Sequence, residues 1–287
     1  MMSNAPAKVS VKAWESEGIL LERYFYTSGA VEPLPKHSHN EYQFGLSFDC
    51  QGEYYYRGAR HQTPIGSLSI IHSGEVHAPS QRTYLPNPAT FWMMHADPGW
   101  LQTAASEITT KTATLPFFPT PFLCDRKLAQ LFLQFHIAVE NESSNLEQDS
   151  FLLHLFTHLI ANYAQNRPSL SPLRSVRPAV MRVRDFLHAH YTLNVSLEEL
   201  ANVAQLSRFH LCRSFRQEIG VSPHAYQTQV RIAHAKRLLA RGMAIAQVAS
   251  DTGFCDQSHL GGHFKRLVGV TPGNYLSKRN NVLDIPE

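Results

Sequence analysis

The chain has 287 residues, enough for two domains, and 43% of them are hydrophobic, an ordinary share for a globular protein. No apolar run approaches the roughly 18 residues of a membrane span, and the first 18 residues lack the apolar core of a secretory signal, so neither a membrane nor a secreted protein is expected. The four cysteines form no CxxC pair, which argues against zinc ribbons and disulfide scaffolds and favours the reducing cytoplasm.

The net charge of +3 is unevenly distributed. Residues 174–287 carry 15 Lys and Arg against 8 Asp and Glu, whereas residues 1–173 carry 11 against 15. A basic C-terminal part fused to an acidic N-terminal part is typical of a module that binds a polyanion such as nucleic acid. A solvated basic face gives the same asymmetry, so charge alone leaves both interpretations open.

From about Leu20 to Met94 the sequence predicts a series of short strands. Segments rich in Tyr, Phe and Ile are separated by Gly and Pro at intervals of roughly 10–15 residues. Regular short strands of this kind indicate a β-sandwich or a small barrel. The segments are RYFYTS, YQFGLSF, EYYYRG, GSLSII and TFWMMH.

Three histidines in this region form a recognisable pattern. His37 and His39 make an HxH motif, and His77 follows downstream of Gly66 and the HSG segment that begins at His72. The arrangement resembles the two motifs of the cupins, small double-sheet barrels in which an HxH pair and a later His converge. The resemblance implies a barrel with a small-molecule site at its mouth.

Two positions depart from the metal-binding cupins. Those proteins have a Glu three or four residues after the HxH motif, where this chain has Gln43 or Phe44, and His72 replaces the Pro of the second motif. A Gln carbonyl is a poorer metal ligand than a carboxylate. Three imidazoles, from His37, His39 and His77, still suffice to hold Zn²⁺, Fe²⁺ or Ni²⁺.

An organic effector, with no metal cofactor, is the favoured occupant of this pocket. A metal-dependent cupin enzyme is the alternative, but the sequence has no Ser/Cys–His–Asp order, phosphate-binding glycine loop or carboxylate pair, so we do not expect an enzyme. The residues expected to contact a polar metabolite are His37, His39, Tyr42, Gln43, Tyr54, Tyr56 and His77.

Residues 94–121 show no regular period, and ADPGW and LPFFPTPF predict loop and extended structure. Two amphipathic helices are predicted next, over Asp125–Asn141 and Asn145–Asn166, with Asp125 as an N-cap. Their apolar faces need cover, either from the barrel or from a second subunit. The Pro/Ser/Arg-rich stretch Arg167–Pro178 predicts a linker.

The C-terminal part contains an internal repeat with a period near 49 residues. The first copy begins at Ser196 and the second at Ala244. Two copies are too few for a solenoid, so we interpret them as a duplicated module. Matched positions are apolar, Gly or Pro: Leu211, Phe215, Gly220, Pro223 and Tyr226 correspond to Leu260, Phe264, Gly269, Pro272 and Tyr275.

The first copy predicts a helix-turn-helix. A helix over 177–191 precedes it, and Ser196 with Glu199 makes a capping box for a short helix. After a tight turn, Ser207 caps a longer helix that Gly220 ends. Short helix, turn and capped longer helix are the helix-turn-helix arrangement.

The second copy repeats this arrangement, with Asp256 capping its longer helix. A helix of about 18 residues from Pro223 joins the two copies and spans about 27 Å. That length is close to the roughly 34 Å between successive major-groove faces on one side of B-DNA. The duplicated module is therefore suited to placing two recognition helices in adjacent major grooves.

This region resembles the AraC/XylS family of bacterial transcription regulators. The second copy, GFCDQSHLGGHFKRLVGVTPGNY, is similar to the family signature over its whole length. The resemblance covers about 110 C-terminal residues and, with the cupin-like part, nearly the whole chain. It implies a ligand-responsive regulator that binds double-stranded DNA, commonly as a dimer and often as an activator contacting RNA polymerase.

The resemblance also implies which residues face DNA. Base contacts fall on Phe209 and Arg213 in the first recognition helix and on Gln257, Ser258 and Gly262 in the second. Relatives frequently have Arg at the last position, so the second helix is expected to read fewer bases, and Arg213 is the strongest reader. Phosphate contacts are expected from Arg208, Arg216, Arg231, Lys265 and Arg266, and the remaining candidates are Ser207, His210, Gln217 and His259.

The sequence therefore predicts an α+β protein with two domains. A cupin-like effector domain over 1–120 is followed by a helical pair over 121–166 for dimerisation or coupling, a linker over 167–178, and an all-α domain with two helix-turn-helix motifs over 179–280. A metal-dependent cupin enzyme with an accessory helical domain is the main alternative. A nucleoid-like DNA-binding protein without an effector is a weaker one.

Overall fold

The computed structural model describes residues 5–79, 83–109, 113–165 and 176–280. Contacts divide the chain into two units, Met1–Glu142 with Phe151–Pro172 and Ser143–Ser150 with Leu173–Glu287. Nearly all of the predicted linker over 167–178 lies outside the described residues. No helix among those described is long and apolar enough to cross a membrane.

Strands dominate the first unit, and every pair of them is antiparallel. Their order along the chain is β1 (Val9–Ser16), β2 (Ile19–Tyr26), β3 (Gly29–Ala30), β4 (Tyr42–Leu46), β5 (Gly52–Tyr56), β6 (Ala59–Thr63), β7 (Leu68–Ile71), β8 (His77–Pro79), β9 (Tyr84–Leu85), β10 (Ala89–Ala96) and β11 (Phe122–Leu123).

Three sheets are formed from these strands. The largest has six strands in the order β1-β2-β10-β4-β7-β11, another has the order β6-β5-β8, and β3 pairs with β9. Leu21, Phe44, Ile70 and Met94, which lie side by side on neighbouring strands of the largest sheet, are fully buried. The prediction of a β-rich N-terminal domain is confirmed.

The first strand was not predicted from the sequence. β1 pairs with β2 along its whole length, from Val9 opposite Tyr26 to Ser16 opposite Ile19. Most of its side chains are exposed, because it lies at the edge of the sheet. An edge strand without a buried face lacks the apolar alternation on which sequence prediction depends.

A helix stands where the sequence predicted only loop. α1 spans Pro98–Thr109 and buries Leu101, Ala104, Ala105 and Ile108. These residues have the i, i+3, i+4, i+7 spacing of an amphipathic helix, but two of them are alanines, so the apolar signal is weak. Residues 113–118, which follow, are irregular as predicted.

Two further helices follow, α2 (Arg126–Glu140) and α3 (Asn145–Tyr163). The predicted apolar residues of both are buried within the single chain, so their faces need no second subunit as cover. Asp125 caps α2 as predicted and also accepts hydrogen bonds from His158 and Tyr163. Burial raises the pKa of the Asp125 carboxyl, but these hydrogen bonds outweigh burial and lower that pKa to about 2.

The second unit is helical, as predicted. Apart from residues 143–150 of the α2–α3 region, it consists of α4 (Arg177–Ala189), α5 (Leu197–Ala204), α6 (Arg208–Ile219), α7 (Pro223–Ala240), α8 (Ile245–Asp251), α9 (Gln257–Val268) and α10 (Pro272–Asn280). The helix pairs α5–α6 and α8–α9 are the two predicted helix-turn-helix motifs.

The helix ends are set by the residues that the sequence indicated. Ser196 and Glu199 form the capping box of α5, and Asp256 accepts a 2.7 Å hydrogen bond from the His259 amide at the start of α9. Gly220 and Gly269 end α6 and α9 with φ of 89° and 87°. Each cap contributes about 1 kcal/mol, and the matching ends explain why both copies keep these residue types.

The loop after α4 contacts both α7 and the turn of the second helix-turn-helix motif. Arg231 and Gln227, from the middle of α7, donate hydrogen bonds to the carbonyl oxygens of Tyr191 and Leu193. On the other side, the turn of the second motif packs so closely that a Cβ on Gly253 would meet the Thr192 carbonyl oxygen and lie 2.8 Å from its Cα. One short loop therefore contacts both α7 and the second motif.

We expect Gly253→Ala to destabilise the second unit more than Gly220→Ala. Both glycines have positive φ, 78° and 89°, so both substitutions pay the roughly 1–2 kcal/mol of a left-handed alanine. Only at Gly253 would the added methyl group collide with backbone, because nothing lies within 4 Å at Gly220. Denaturant unfolding of both variants measures the difference, and equal losses would contradict this packing.

Candidate functional site

The residues predicted to face DNA on α6 have unequal exposure. Arg216 and Gln217 are exposed, while Arg208, His210 and Arg213 are half-buried. The Arg208 guanidinium lies 3.7 Å from the Glu198 carboxylate on α5. Ser207 has its hydroxyl at the N-cap, where it accepts from the His210 amide.

Phe209 does not face outward as predicted. Its side chain is only 2% exposed, so in this conformation it belongs to the packed part of the second unit. Cys212, one turn further along α6, is also buried, so the buried face of this helix is wider than Leu211 and Phe215 indicated. Burial of a Phe side chain stabilises by roughly 1.5–3 kcal/mol. The outward orientation predicted for Phe209 is wrong.

Arg231 is likewise misassigned by the sequence. It was expected at a phosphate, but it is 5% exposed, and its Nε and Nη2 donate to the carbonyl oxygens of Tyr191 and Leu193 at 2.6 and 2.8 Å. Its guanidinium also lies 5.8 Å from the centre of the Phe254 ring. A buried cation engaged in this way holds the fold together and is not presented to a ligand.

The second recognition helix, α9, presents an exposed start and an exposed end. Gln257 and Ser258 are exposed at its N-terminus, and Lys265 and Arg266 are exposed near its C-terminus. Between them, Gly261 and Gly262 present no side chain, and added Cβ atoms there would meet nothing within 4 Å. His259 is half-buried and lies 4.0 Å from the carboxylate of Glu147.

The barrel histidines converge as the sequence predicted. The ring centre of His77 lies 4.3 Å from that of His37 and 5.0 Å from that of His39. His39 Nε2 is 2.9 Å from Gln43 Oε1. These four side chains, which sequence reasoning grouped together, form one polar cluster in the first unit.

Sequence reasoning missed two members of this cluster. His95 on β10 has its ring centre 5.3 Å from that of His39, and its Nε2 is 3.3 Å from the Glu22 carboxylate on β2. Both residues lie on predicted strand segments or next to them, but no motif connects them to His39. The pairing of Gln43 with His95 across β4 and β10 brings His95 to the cluster, and this strand register cannot be predicted from the sequence.

His77 has the most constrained environment in the cluster. It is 1% exposed, and its Nε2 has no hydrogen-bond partner among the described residues. Burial, with some contribution from the neighbouring histidines, lowers the pKa of His77 to about 4, so the ring is neutral at pH 7. A buried polar nitrogen without a partner is the kind of atom that a ligand satisfies.

The predicted tyrosines form a different, closed group. Tyr42 and Tyr54 donate hydrogen bonds to the carbonyl oxygens of Pro116 and Pro121 at 2.9 and 2.7 Å. Tyr56 is fully buried and contacts His72, whose Nε2 accepts from the Phe118 amide. These tyrosines were expected to line an open pocket, and that expectation is wrong, because the hydroxyl groups of Tyr42 and Tyr54 bond to segment 116–121 and that of Tyr56 bonds to His72.

The comparisons with known proteins agree with this division of the chain. Residues 26–156 match the family model described as an AraC-like ligand binding domain, and residues 200–278 match a helix-turn-helix domain. An uncharacterised HTH-type transcriptional regulator of Bacillus subtilis, YbfI, is 31% identical over 245 residues, covering 84% of this chain and 86% of the relative.

Two more similarities cover a shorter part of the chain. The probable transcriptional regulator LumQ of Photobacterium leiognathi is 33% identical over 94 residues, which is 32% of this chain and 38% of LumQ. Among solved structures, the C-terminal domain of AraT, a response regulator from Geobacillus stearothermophilus, is 29% identical and covers 37% of this chain and 89% of that one, with a TM-score of 0.35.

A β-rich ligand-binding domain joined to a double helix-turn-helix domain defines a class of one-component regulators. This chain belongs to the AraC family of transcriptional regulators. It is a ligand-responsive DNA-binding regulator, and the alternative of a cupin enzyme is not favoured.

We expect Arg231→Ala to lower the free energy of unfolding by about 2–4 kcal/mol, because it leaves buried carbonyl oxygens without their charged donor. Arg241→Ala, at the exposed end of the same helix, is the matched control and should change stability by less than about 0.5 kcal/mol. Denaturant unfolding measures both. If Arg231→Ala were as stable as the control but reduced the salt dependence of DNA binding, the phosphate role would be restored.

Proposed function

We propose that this chain is a cytoplasmic, sequence-specific transcription activator that binds DNA as a homodimer and contacts RNA polymerase. A small polar effector, bound in the first unit without a metal cofactor, controls it. Family membership supports DNA binding and a small-molecule effector. We further propose that the two recognition helices contribute unequally to DNA recognition. The contrast between the exposed side chains of α6 and those of α9 supports this division.

Helix α6 carries the base-reading function in this proposal. Arg213 is half-buried on a capped helix, one turn before Gln217. A guanidinium donates two parallel hydrogen bonds to guanine O6 and N7, the most frequent specific contact in the major groove. Arg216 and Gln217 are exposed beside it and suit phosphate and base contacts respectively.

Helix α9 mainly positions the protein on the duplex. Its middle turn presents Gly261 and Gly262, which have no side chain to read a base edge. Its exposed cations, Lys265 and Arg266, lie in the last turn, where they suit phosphates. Gln257 and Ser258 at its start are the remaining candidates for base contacts.

The effector site proposed here is the histidine cluster formed by His37, His39, Gln43, His77 and His95. It offers imidazole and amide groups to a polar ligand, and the unpartnered Nε2 of His77 is the atom that such a ligand would engage. The tyrosine group is not proposed as part of this site, because the hydroxyl groups of Tyr42 and Tyr54 already bond to residues 116–121 and that of Tyr56 bonds to His72. A sugar, an amino acid and an aromatic acid are the ligand classes to be compared.

We expect Arg213→Ala to weaken binding to the cognate operator by roughly 1–3 kcal/mol and to relax specificity at one base pair. Lys265→Ala should weaken binding to cognate and random duplexes alike and lower the salt slope by about 1. Genomic selection of operator fragments followed by binding titrations at several salt concentrations measures both. If the two variants lost equal affinity on specific and random DNA, the proposed division between α6 and α9 would be wrong.

We expect the effector to raise the Tm of the full-length protein in a thermal-shift screen of sugars, amino acids and aromatic acids. A ligand at about 100-fold excess over Kd stabilises the folded state by about 2.7 kcal/mol. His39→Gln should reduce that shift. His61→Ala, a histidine of β6 outside the cluster, is the control and should retain it.

A shift that survived His39→Gln and His77→Gln but disappeared in Tyr42→Phe would place the effector in the tyrosine group. That result would contradict the histidine site while leaving the regulatory function of the chain intact.

A further inference from the structure

A second cluster of histidines lies in the helical unit. His259 and His263 are four residues apart on α9, so they lie on the same face of that helix. Glu147, in the first turn of α3 and part of the same unit, has its Oε2 4.0 Å from the Nε2 atoms of both. His224 Nε2, on α7, lies 3.3 Å from the other carboxylate oxygen, Oε1.

Glu147 has an environment that is costly for a carboxylate. The residue is 6% exposed, and its Oε2 is buried without a hydrogen-bond partner among the described residues. A buried charged oxygen without a partner costs several kcal/mol, so such atoms are normally paired or coordinate a metal ion. This atom is the second, independent indication of a ligand at the cluster.

The chemistry of the side chains suits a cation. A carboxylate oxygen and imidazole nitrogens are donor types that bind divalent transition metals.

We propose that Glu147, His259 and His263 form a binding site for a divalent transition-metal ion of the Zn²⁺ class. One carboxylate oxygen and two imidazole nitrogens are a donor set that Zn²⁺ accepts, and the three donor atoms already lie within 4.8 Å of one another. Of the residues described, this is the group that meets that distance, and the barrel histidines are not part of it. Binding requires the donors to move inward to metal–ligand distances of about 2.0–2.2 Å.

Two neighbours act on this site in opposite directions. His224 holds Oε1 and thereby orients the carboxylate, as residues beyond the direct ligands commonly do. Arg266 Nη2 lies 2.7 Å from His263 Nδ1, and donation there leaves the ring proton on Nε2, the atom that the metal needs. Arg266 is exposed, so it is free to turn away, but it competes with the metal until it does.

The site would join the first turn of α3 to the second recognition helix. His259, a candidate DNA contact, would then be held by the metal and unable to reach a base. Metal affinity is a property of the second unit alone, so the proposal does not depend on the proposed effector or operator.

The test uses full-length protein freed of metal with a chelator and then titrated with Co²⁺ and Zn²⁺. We expect one equivalent of Co²⁺ to give visible absorption bands of a four- or five-coordinate site, displaced by Zn²⁺. Glu147→Gln and His263→Gln should each weaken binding at least about tenfold. Arg266→Ala should tighten it, because His263 then adopts the required tautomer without competition.

The matched control is the double variant His37→Gln/His39→Gln, which removes two of the four barrel imidazoles and should bind Co²⁺ as the unmodified protein does. His259→Cys supplies a positive signal, a thiolate-to-cobalt charge-transfer band that arises only if the metal sits on α9, and circular dichroism checks the fold of each variant. Absence of stoichiometric binding would overturn the proposal. So would binding that is retained in Glu147→Gln and lost in the barrel variant.

Discussion

The second unit depends on one buried cation. Arg231, in the middle of α7, donates to two carbonyl oxygens of the loop after α4, and Gln227 one turn earlier donates to the same pair. Burial lowers the pKa of Arg231, which measures the cost of removing the guanidinium from water. That cost is offset because the planar fork gives both carbonyl oxygens a charged donor in addition to the Gln227 amide. The turn of the second motif packs through Gly253 against the same loop, which therefore contacts both α7 and the second motif.

The symmetry of the duplicated module is therefore a symmetry of packing and not of surface. Both copies end their recognition helices with a left-handed Gly and follow it with a helix that begins at Pro223 or Pro272. Selection for packing constrains only buried and turn positions, which leaves the outer faces free to diverge. One face carries Arg213 and Gln217, and the other carries two adjacent glycines. Unequal contributions to DNA recognition follow from that divergence.

The sequence was informative wherever the determining interactions are local. Caps at Ser196, Ser207 and Asp256 depend on residues three positions away, so the helices of the second unit were predicted with nearly correct ends. Prediction from the sequence failed where the orientation of a side chain depends on residues distant in the chain. Phe209 and Arg231 are of residue types that commonly contact DNA, and only the elements packed around them show that they are buried. The tyrosines of the barrel were misplaced for the same reason, since the residues that accept the hydrogen bonds of Tyr42 and Tyr54 come 74 and 67 residues later.

Histidines illustrate this limit most sharply. The HxH pair at His37 was conspicuous because cupins share it, yet its cluster includes His95, which reaches it only through strand register. On α9 the spacing of His259 and His263 is readable as two ligands on one helix face, but it has no meaning for a metal without a third donor. That donor is Glu147. It lies on another helix, in the segment 143–150, which packs with the second unit. A buried carboxylate oxygen without a partner is thus the feature that turns a common helical spacing into a candidate site, and only a three-dimensional structure reveals it.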